Sequence, residues 1–173
     1  MDLWTAIEQR CSIRGFRPTE IDNSTVQKIL EAAIRAPTAG NRQPWHFIVV
    51  RKTQVREALA LAAYGQNFLV EAPVVIVICA DPERSATRYG DRGRGLYCLQ
   101  DTAAATEHIL LAATALGLGG CWVGAFDEEA AARALALPKH LRPIAMVPIG
   151  QPATERKEPS QRRPLAEVTS FVE

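Results

Sequence analysis

Three short stretches hold the side chains that could do chemistry. The first is Arg10-Cys11-Ser12-Ile13-Arg14. In an extended backbone Ser12 and Arg14 point one way and Ile13 points to the core. Two guanidinium groups and a hydroxyl converging there suit a phosphate, through bidentate charge-assisted bonds. Each such bond contributes on the order of 1.5–3 kcal/mol. The second stretch is Ala36 to Val50, which contains Pro37-Thr38-Ala39-Gly40-Asn41-Arg42-Gln43-Pro44. Thr38, Asn41 and Gln43 can hydrogen-bond, while Ala39 and Gly40 let backbone approach a flat ligand closely. The third is Gly117 to Phe126. Its glycines do not make a dinucleotide fingerprint, because the third would fall at Trp122 and they follow a helix instead of a strand. Gly124 and Ala125 leave backbone N–H groups uncovered. Taken singly, these stretches also read as solvated arginines, a helix–strand connector and a helix end.

The elements that position them follow from periodicity. Leu3, Ile7 and Cys11 share one face of a helix that ends near Arg10. Ser24-Thr25-Val26-Gln27 has the form of a capping box, and the helix behind it buries Val26, Ile29, Leu30, Ala33 and Ile34 before Pro37 stops it. A strand follows over 46–50, then a helix that Thr53 can cap, carrying Val55, Leu59 and Ala62. Tyr64-Gly65-Gln66-Asn67 is a polar turn. Val74–Ala80 is a strand apolar on both faces, which calls for helices above and below it. Residues 84–95 read as an exposed or mobile loop, a candidate lid. A helix over 96–116, ~33 Å long, is rich in alanine and apolar on most sides, so it belongs in the centre or at a subunit contact. Asp127-Glu128-Glu129 opens another helix with acids at its positive end, ended by Pro138. Ile144–Gly150 is a last strand, in which Pro148 suggests an edge or a bulge. Periodicity alone leads to a parallel, doubly wound sheet.

Composition narrows the function classes. The chain has 173 residues and a net charge of +1, which suits one domain with a substantial core and gives no global reason to expect nucleic acid. No run is long and apolar enough for a membrane span, and no leader pattern opens the sequence. Cys11, Cys79, Cys98 and Cys121 lack metal or redox spacing and fit reduced thiols of a cytoplasmic protein. His108 stands alone and reads as a satisfied structural histidine; no metal site is expected. There is no Ser/His/Asp set and no paired-carboxylate signature. The tail, 151–173, carries Pro152, Pro159 and Pro164 and cannot pack a core alone. Its Leu165, Val168, Phe171 and Val172 favour a partner surface over disorder, and Arg162 and Arg163 can reach an anion.

Together, Arg10 to Phe16, Ala36 to Trp45, Gly119 to Phe126, and Gly150-Gln151-Pro152 followed by Arg162-Arg163-Pro164-Leu165 resemble the FMN-dependent nitroreductase family, in its short form of roughly 170 residues. The resemblance covers nearly the whole chain. It implies an α+β fold, a three-layer α/β/α sandwich with a mixed, largely antiparallel central sheet, in one domain over 1–173. It also implies an obligate homodimer with FMN at the interface and the tail 151–173 extended onto the partner subunit.

Carried over by position, Arg10, Ser12 and Arg14 match FMN phosphate, ribityl or ring contacts, with Cys11 contributing backbone. Arg162, with Arg163 beside it, matches the tail arginine that reaches the phosphate. Pro37, Thr38, Ala39, Asn41 and Gln43 match the segment lining the isoalloxazine from the second subunit. Val123, Gly124 and Ala125 match the strand at the flavin edge, with the Gly124 N–H a donor to N5, and Gln66 is placed at the pyrimidine edge. The implied reaction is ping-pong hydride transfer from NAD(P)H through flavin N5 to a nitroaromatic, a quinone or an activated alkene. Alternatives on the same fold are a flavin carrier or sensor without turnover, and a different flavin reaction such as reductive dehalogenation.

Overall fold

The strand β2 (Val74–Ala80) is buried along its whole length, and the two cores form on its two faces. The structure is a computed structural model that describes residues 1–154 and 160–172; the part of the expected tail at 155–159 and Glu173 lies outside the described residues. In β2, Val74, Ile76 and Ile78 enter one core and Val75, Val77 and Cys79 the other, as the two-residue period of a strand requires. β1 (Trp45–Val50) pairs with β2, β4 (Arg142–Gly150) lies on the other side of β2, and the short β3 (Gly119–Gly120) pairs with β4. The order is β1-β2-β4-β3. Every neighbouring pair is antiparallel, and a parallel bridge from Ser12 to Gly120 gives the sheet its mixed character. The parallel sheet expected from periodicity is therefore corrected: double-sided burial makes a strand apolar throughout but carries no information on strand direction.

On one face lie α2 (Asn23–Ala33) and α6 (Cys98–Ala115), which bring Val26, Ile29, Ile109, Leu110 and Ala113 to the sheet. On the other lie α3 (Thr53–Ala62), α4 (Phe68–Glu71) and α7 (Glu128–Ala134), with Leu59, Leu69 and Ala131 in the core. Helices on both faces of one sheet make the three layers of an α+β sandwich. α6 holds the alanine-rich central position expected of it, and His108 on it meets the Ala32 carbonyl through Nδ1 at 2.9 Å. α1 (Leu3–Gln9) behaves differently from its pattern. It buries only Ala6 and leaves Leu3 62% and Ile7 45% exposed, so its apolar stripe finds no cover within the chain.

Local chemistry corrects four further expectations. The cap of α2 is Asp22, not Ser24: its Oδ1 accepts from the Thr25 N–H at 2.8 Å, and both neighbouring hydroxyls bond to the same carboxylate. Hydrogen bonding from Ser24 first, then Thr25, holds that carboxyl well below the usual range. Thr53 is the first residue of α3 and makes no cap bond, the cap position being Lys52. Pro148 is neither on an edge nor at the bulge. It sits within β4 opposite Val75, while the register slips beyond Ile78–Ala145, three pairs away. Its missing N–H is tolerated because β3 stops at Gly120, opposite Ile149. Finally, residues 84–95 are not a loop. α5 (Pro82–Arg92) occupies most of the segment and a wider π-type turn over Gly93–Tyr97 leads into α6. Asp81 caps α5 by accepting the Arg84 N–H at 3.2 Å, Pro82 takes the first turn, and Arg94 ties Glu83 to Asp91 at 2.8 and 2.6 Å. Charge and capping build this helix, so apolar periodicity gave no sign of it.

Candidate functional site

Backbone hydrogen bonds bring the first and third stretches together. The Ile13 N–H donates to the Gly120 carbonyl at 3.0 Å, which lays Arg10–Arg14 beside the turn into Gly124. Ser12 and Arg14 are exposed and Ile13 half-buried. Ile13 lies so close to β3 that a Cβ on Gly119 would meet its Cγ1 at 2.6 Å and its Cβ at 2.8 Å. The start of the tail joins the same assembly: Arg17 N–H donates to Gln151 at 2.8 Å and Ala153 N–H to Gly15 at 3.0 Å. Arg10, largely covered, lies 4.0 Å from the Glu107 carboxylate on α6.

Val123 is buried and exchanges both backbone bonds with Met146 at 2.9 and 3.0 Å. Gly124 and Ala125 are exposed beyond it. The Gly124 N–H makes no hydrogen bond among the described residues, and a Cβ there would touch only the Trp122 indole, at 3.6 Å. Gln66 is drawn in as well. Its amide nitrogen donates to the carbonyls of Ala63 at 3.0 Å and Ala125 at 3.1 Å, so the amide N–H groups hold the 123–126 segment and leave Oε1 free for a ligand.

The second stretch stands apart, with no hydrogen bond to Arg10–Arg14 among the described residues. Gly40, Asn41 and Gln43 all have left-handed φ, at 53°, 54° and 51°, which costs a residue with a Cβ on the order of 1 kcal/mol. Side-chain oxygens help to hold the turn. Thr38 Oγ1 accepts the Gln43 N–H at 3.2 Å, Asn41 Oδ1 accepts Gln43 Nε2 at 3.1 Å, and Asp101 Oδ1 accepts the Ala39 N–H at 3.1 Å. Pro37 is exposed at its entry. Arg42 and Arg84 clasp the loop to α5, and Tyr89 and Arg88 fill the space where a Gly40 side chain would go.

Asp101 was not singled out from the sequence, yet it is buried in the first turn of α6, and its Oδ2 has no hydrogen-bond partner among the described residues. Burial pushes its carboxyl up; the Ala39 N–H only partly opposes that. An acid inside an alanine-rich apolar helix is the signal that could have found it. Arg162 and Arg163 are exposed and bond within the tail, Arg162 to the Ser160 carbonyl at 2.7 Å and Arg163 to Glu167 at 3.2 Å. Within one chain they do not join Arg10–Arg14. Cys11 is half-covered and the other three cysteines are buried, all four free. Burial pushes the Cys79 thiol up to about 12, so it carries no thiolate chemistry. Concavities of about 740 Å³ and 520 Å³ lie elsewhere; the second touches the site at Gln43.

The chain is similar to known proteins over most of its length. An Archaeoglobus fulgidus protein provisionally named NADH dehydrogenase/NAD(P)H nitroreductase is 39% identical over 154 residues, covering 87% of this chain and 85% of its own. A Thermus thermophilus protein named NADH dehydrogenase is 34% identical over 195 residues, covering 97% and 95%. The crystal structure of a nitroreductase family protein from Clostridium difficile superposes with a TM-score of 0.87 at 31% identity, over 99% of this chain and 98% of its own. The family model described as Nitroreductase family matches residues 7–68 and 60–151, a span that includes the first three of the four stretches, and on this footing the chain belongs to the nitroreductase family.

Proposed function

We propose that the chain is an NAD(P)H-dependent oxidoreductase that binds FMN, works as a homodimer, and reduces nitroaromatics, quinones or similar acceptors. The observation that carries this reading is the joining of Arg10–Arg14 to Gly120–Gly124, which leaves two guanidinium groups, a hydroxyl and an unpartnered N–H along one connected run of chain. That donor set fits a flat group with a phosphate at one end. Bound FMN would supply a ring that takes up hydride at N5 and returns electrons to an acceptor.

The chain's own residues would do the rest. Arg10, Ser12 and Arg14 would hold the phosphate and ribityl end, with Arg162 or Arg163 arriving on the tail of the partner. The Gly124 N–H would donate to the ring edge at N5, and Gln66 Oε1 would face the polar edge of the ring. Pro37, Thr38, Ala39, Asn41 and Gln43 would form the wall supplied by the other subunit. A guanidinium near the ring's carbonyl edge, from Arg14, would stabilise negative charge there without reorganising during the reaction. One pocket would serve donor and acceptor in turn, which predicts ping-pong kinetics. The apolar face of α1 and the exposed Leu165, at 77%, and Phe171, at 87%, supply the surface such a dimer needs. Residues 1–173 would then be a single domain, with its tail, 151–173, an arm on the partner.

An absorption spectrum of the purified chain, followed by NAD(P)H without oxygen, tests this. A yellow protein that bleaches and recovers on adding a quinone is expected. A colourless protein that takes up no FMN overturns the cofactor; a yellow one that does not bleach overturns the enzyme.

A further inference from the structure

The junction of α5 with the 38–43 loop carries charge that the flavin reading leaves unused. Arg84 Nε donates to the Arg42 carbonyl at 2.6 Å, and Arg42 Nε donates back to the Arg84 carbonyl at 3.0 Å. Arg42 also reaches Thr87 Oγ1 at 2.6 Å. Neither guanidinium forms an ion pair among the described residues, whereas Arg94 and Arg142 each meet a carboxylate, at 2.8 and 2.7 Å. Two crossed arginines without counter-charges are costly unless they meet an anion or water.

The same junction borders the concavity of about 520 Å³, a volume suited to part of a nucleotide. It starts at Gln43, the end of the loop assigned to the ring wall, and runs past Arg84 to Trp45, His46 and His140. Indole and imidazole faces offer flat surfaces for a base, and Leu135–Leu141 close the far side. Asp81 also lines it, but its Oδ1 is committed to the α5 cap, which leaves Arg84 as the guanidinium among the lining residues.

We propose that this concavity takes the adenosine 2′-phosphate end of NADPH, with Arg84 facing the phosphate, so that the enzyme prefers NADPH to NADH. The inference rests on the proposed function, in which the 38–43 loop walls the ring site that NAD(P)H would enter as donor. A phosphate monoester brings roughly two negative charges and three acceptor oxygens, where NADH has only a hydroxyl. Arginine can meet that group with two parallel bonds.

Calorimetric titration of the purified full chain with 2′,5′-ADP and with AMP tests the site directly. We expect 2′,5′-ADP to bind at least about tenfold more tightly. The kcat/KM for NADPH should exceed that for NADH in the same proportion. Arg84→Ala should collapse both ratios towards one. Arg84→Lys should keep part of each, because it retains the charge while losing the bond to Arg42; a merely structural Arg84 would make Lys behave like Ala. Equal binding of the two nucleotides, or unchanged ratios in Arg84→Ala, overturns the proposal. So does an effect of Arg84→Ala on the KM for 4-nitrobenzoate with no change in the nucleotide ratios. The titration needs no flavin, so failure to take up FMN would strike the proposed function and leave this result readable by itself.

Discussion

Where Arg10–Arg14 meets Gly119–Gly124, the chain is held by backbone bonds and apolar packing; where the 38–43 loop meets α5, almost every bond runs through a side chain. The first half of the candidate site is an extension of the sheet. It inherits the rigidity of a close-packed core, which resists a volume change as small as one methyl group. The second half is a left-handed turn clasped by arginines, a threonine and a buried aspartate. It gains specificity from geometry and charge, and it is exposed to pH and salt in ways the first is not.

The largest effect should come from crowding the first half. Gly119→Ala places a methyl within 2.9 Å of three Ile13 atoms, one of them the branching Cβ, which cannot swing away. Overpacking of this kind costs about 1–3 kcal/mol, and the upper end is expected because backbone pairing fixes both strands. Denaturant unfolding should show the loss. Adding Ile13→Ala removes the Cγ1 and Cγ2 contacts but keeps the Cβ at 2.8 Å, so it should recover only part of the stability; no recovery at all would mean that the γ atoms of Ile13 are not what crowd Gly119.

A smaller loss is expected from Gly40→Ala in the second half. The new methyl must adopt φ 53° and share space with Tyr89 and Arg88. The strain alone costs about 1–2 kcal/mol. Tyr89→Phe should relieve the clash but not the strain, so the double variant should recover only in part. Full recovery would show the turn to be less constrained than its dihedral angles imply.

These two halves were not equally legible in the sequence. β2, β4 and α6 announced themselves through apolar runs, and the glycine-rich segment after α6 showed where that helix would end. The 38–43 loop was recognisable by residue type, yet nothing in its order disclosed that Asn41 and Gln43 would join Gly40 at positive φ. α5 leaves no periodic signal, because it has almost no apolar face: only Ser85 is buried along it. Asp101 carries no motif around it; the apolar helix that surrounds it and the Ala39 N–H that meets it become visible together only in the fold. Strand direction and the pairing of Ser12 with Gly120 are tertiary facts, fixed by which chain segments meet and not by period. The tail's role depends on surface that a single chain leaves bare.

Asp101 offers a pH test confined to the second half. Its carboxyl is raised above 3.8 in the folded chain, so the folded state holds its proton to higher pH than the unfolded state does. The stability linked to this group is therefore present below 3.8 and lost as pH rises through the folded value, with a plateau above it. Asp101→Asn keeps an oxygen for the Ala39 N–H and removes the titration, so that decline should vanish from urea unfolding measured across acidic pH. Asp101→Ala should vanish the slope too, and lose about 1 kcal/mol with the hydrogen bond. A slope that survives in Asp101→Asn would assign the titration to another group.

The weakest expected effect concerns the ions that hold α5. Glu83, Arg94 and Asp91 form a bridge across its ends at 2.8 and 2.6 Å, well exposed to solvent. Arg94, chiefly by hydrogen bonding, holds the Glu83 carboxyl below its usual 4.5. Its contribution is thus present above 4.5 and lost as pH falls through the depressed value, the reverse of Asp101. Exposed pairs contribute little to global stability and are screened by salt, so the melting temperature should hardly move between low and high ionic strength. Hydrogen exchange should separate the regions instead. Amides of α5 should exchange faster in high salt, while those of β2, enclosed on both faces, stay unchanged. If α5 kept its protection in salt, the clasp to Arg42 and the Asp81 cap would be holding the helix, and its polar sequence would owe its order to the loop it covers.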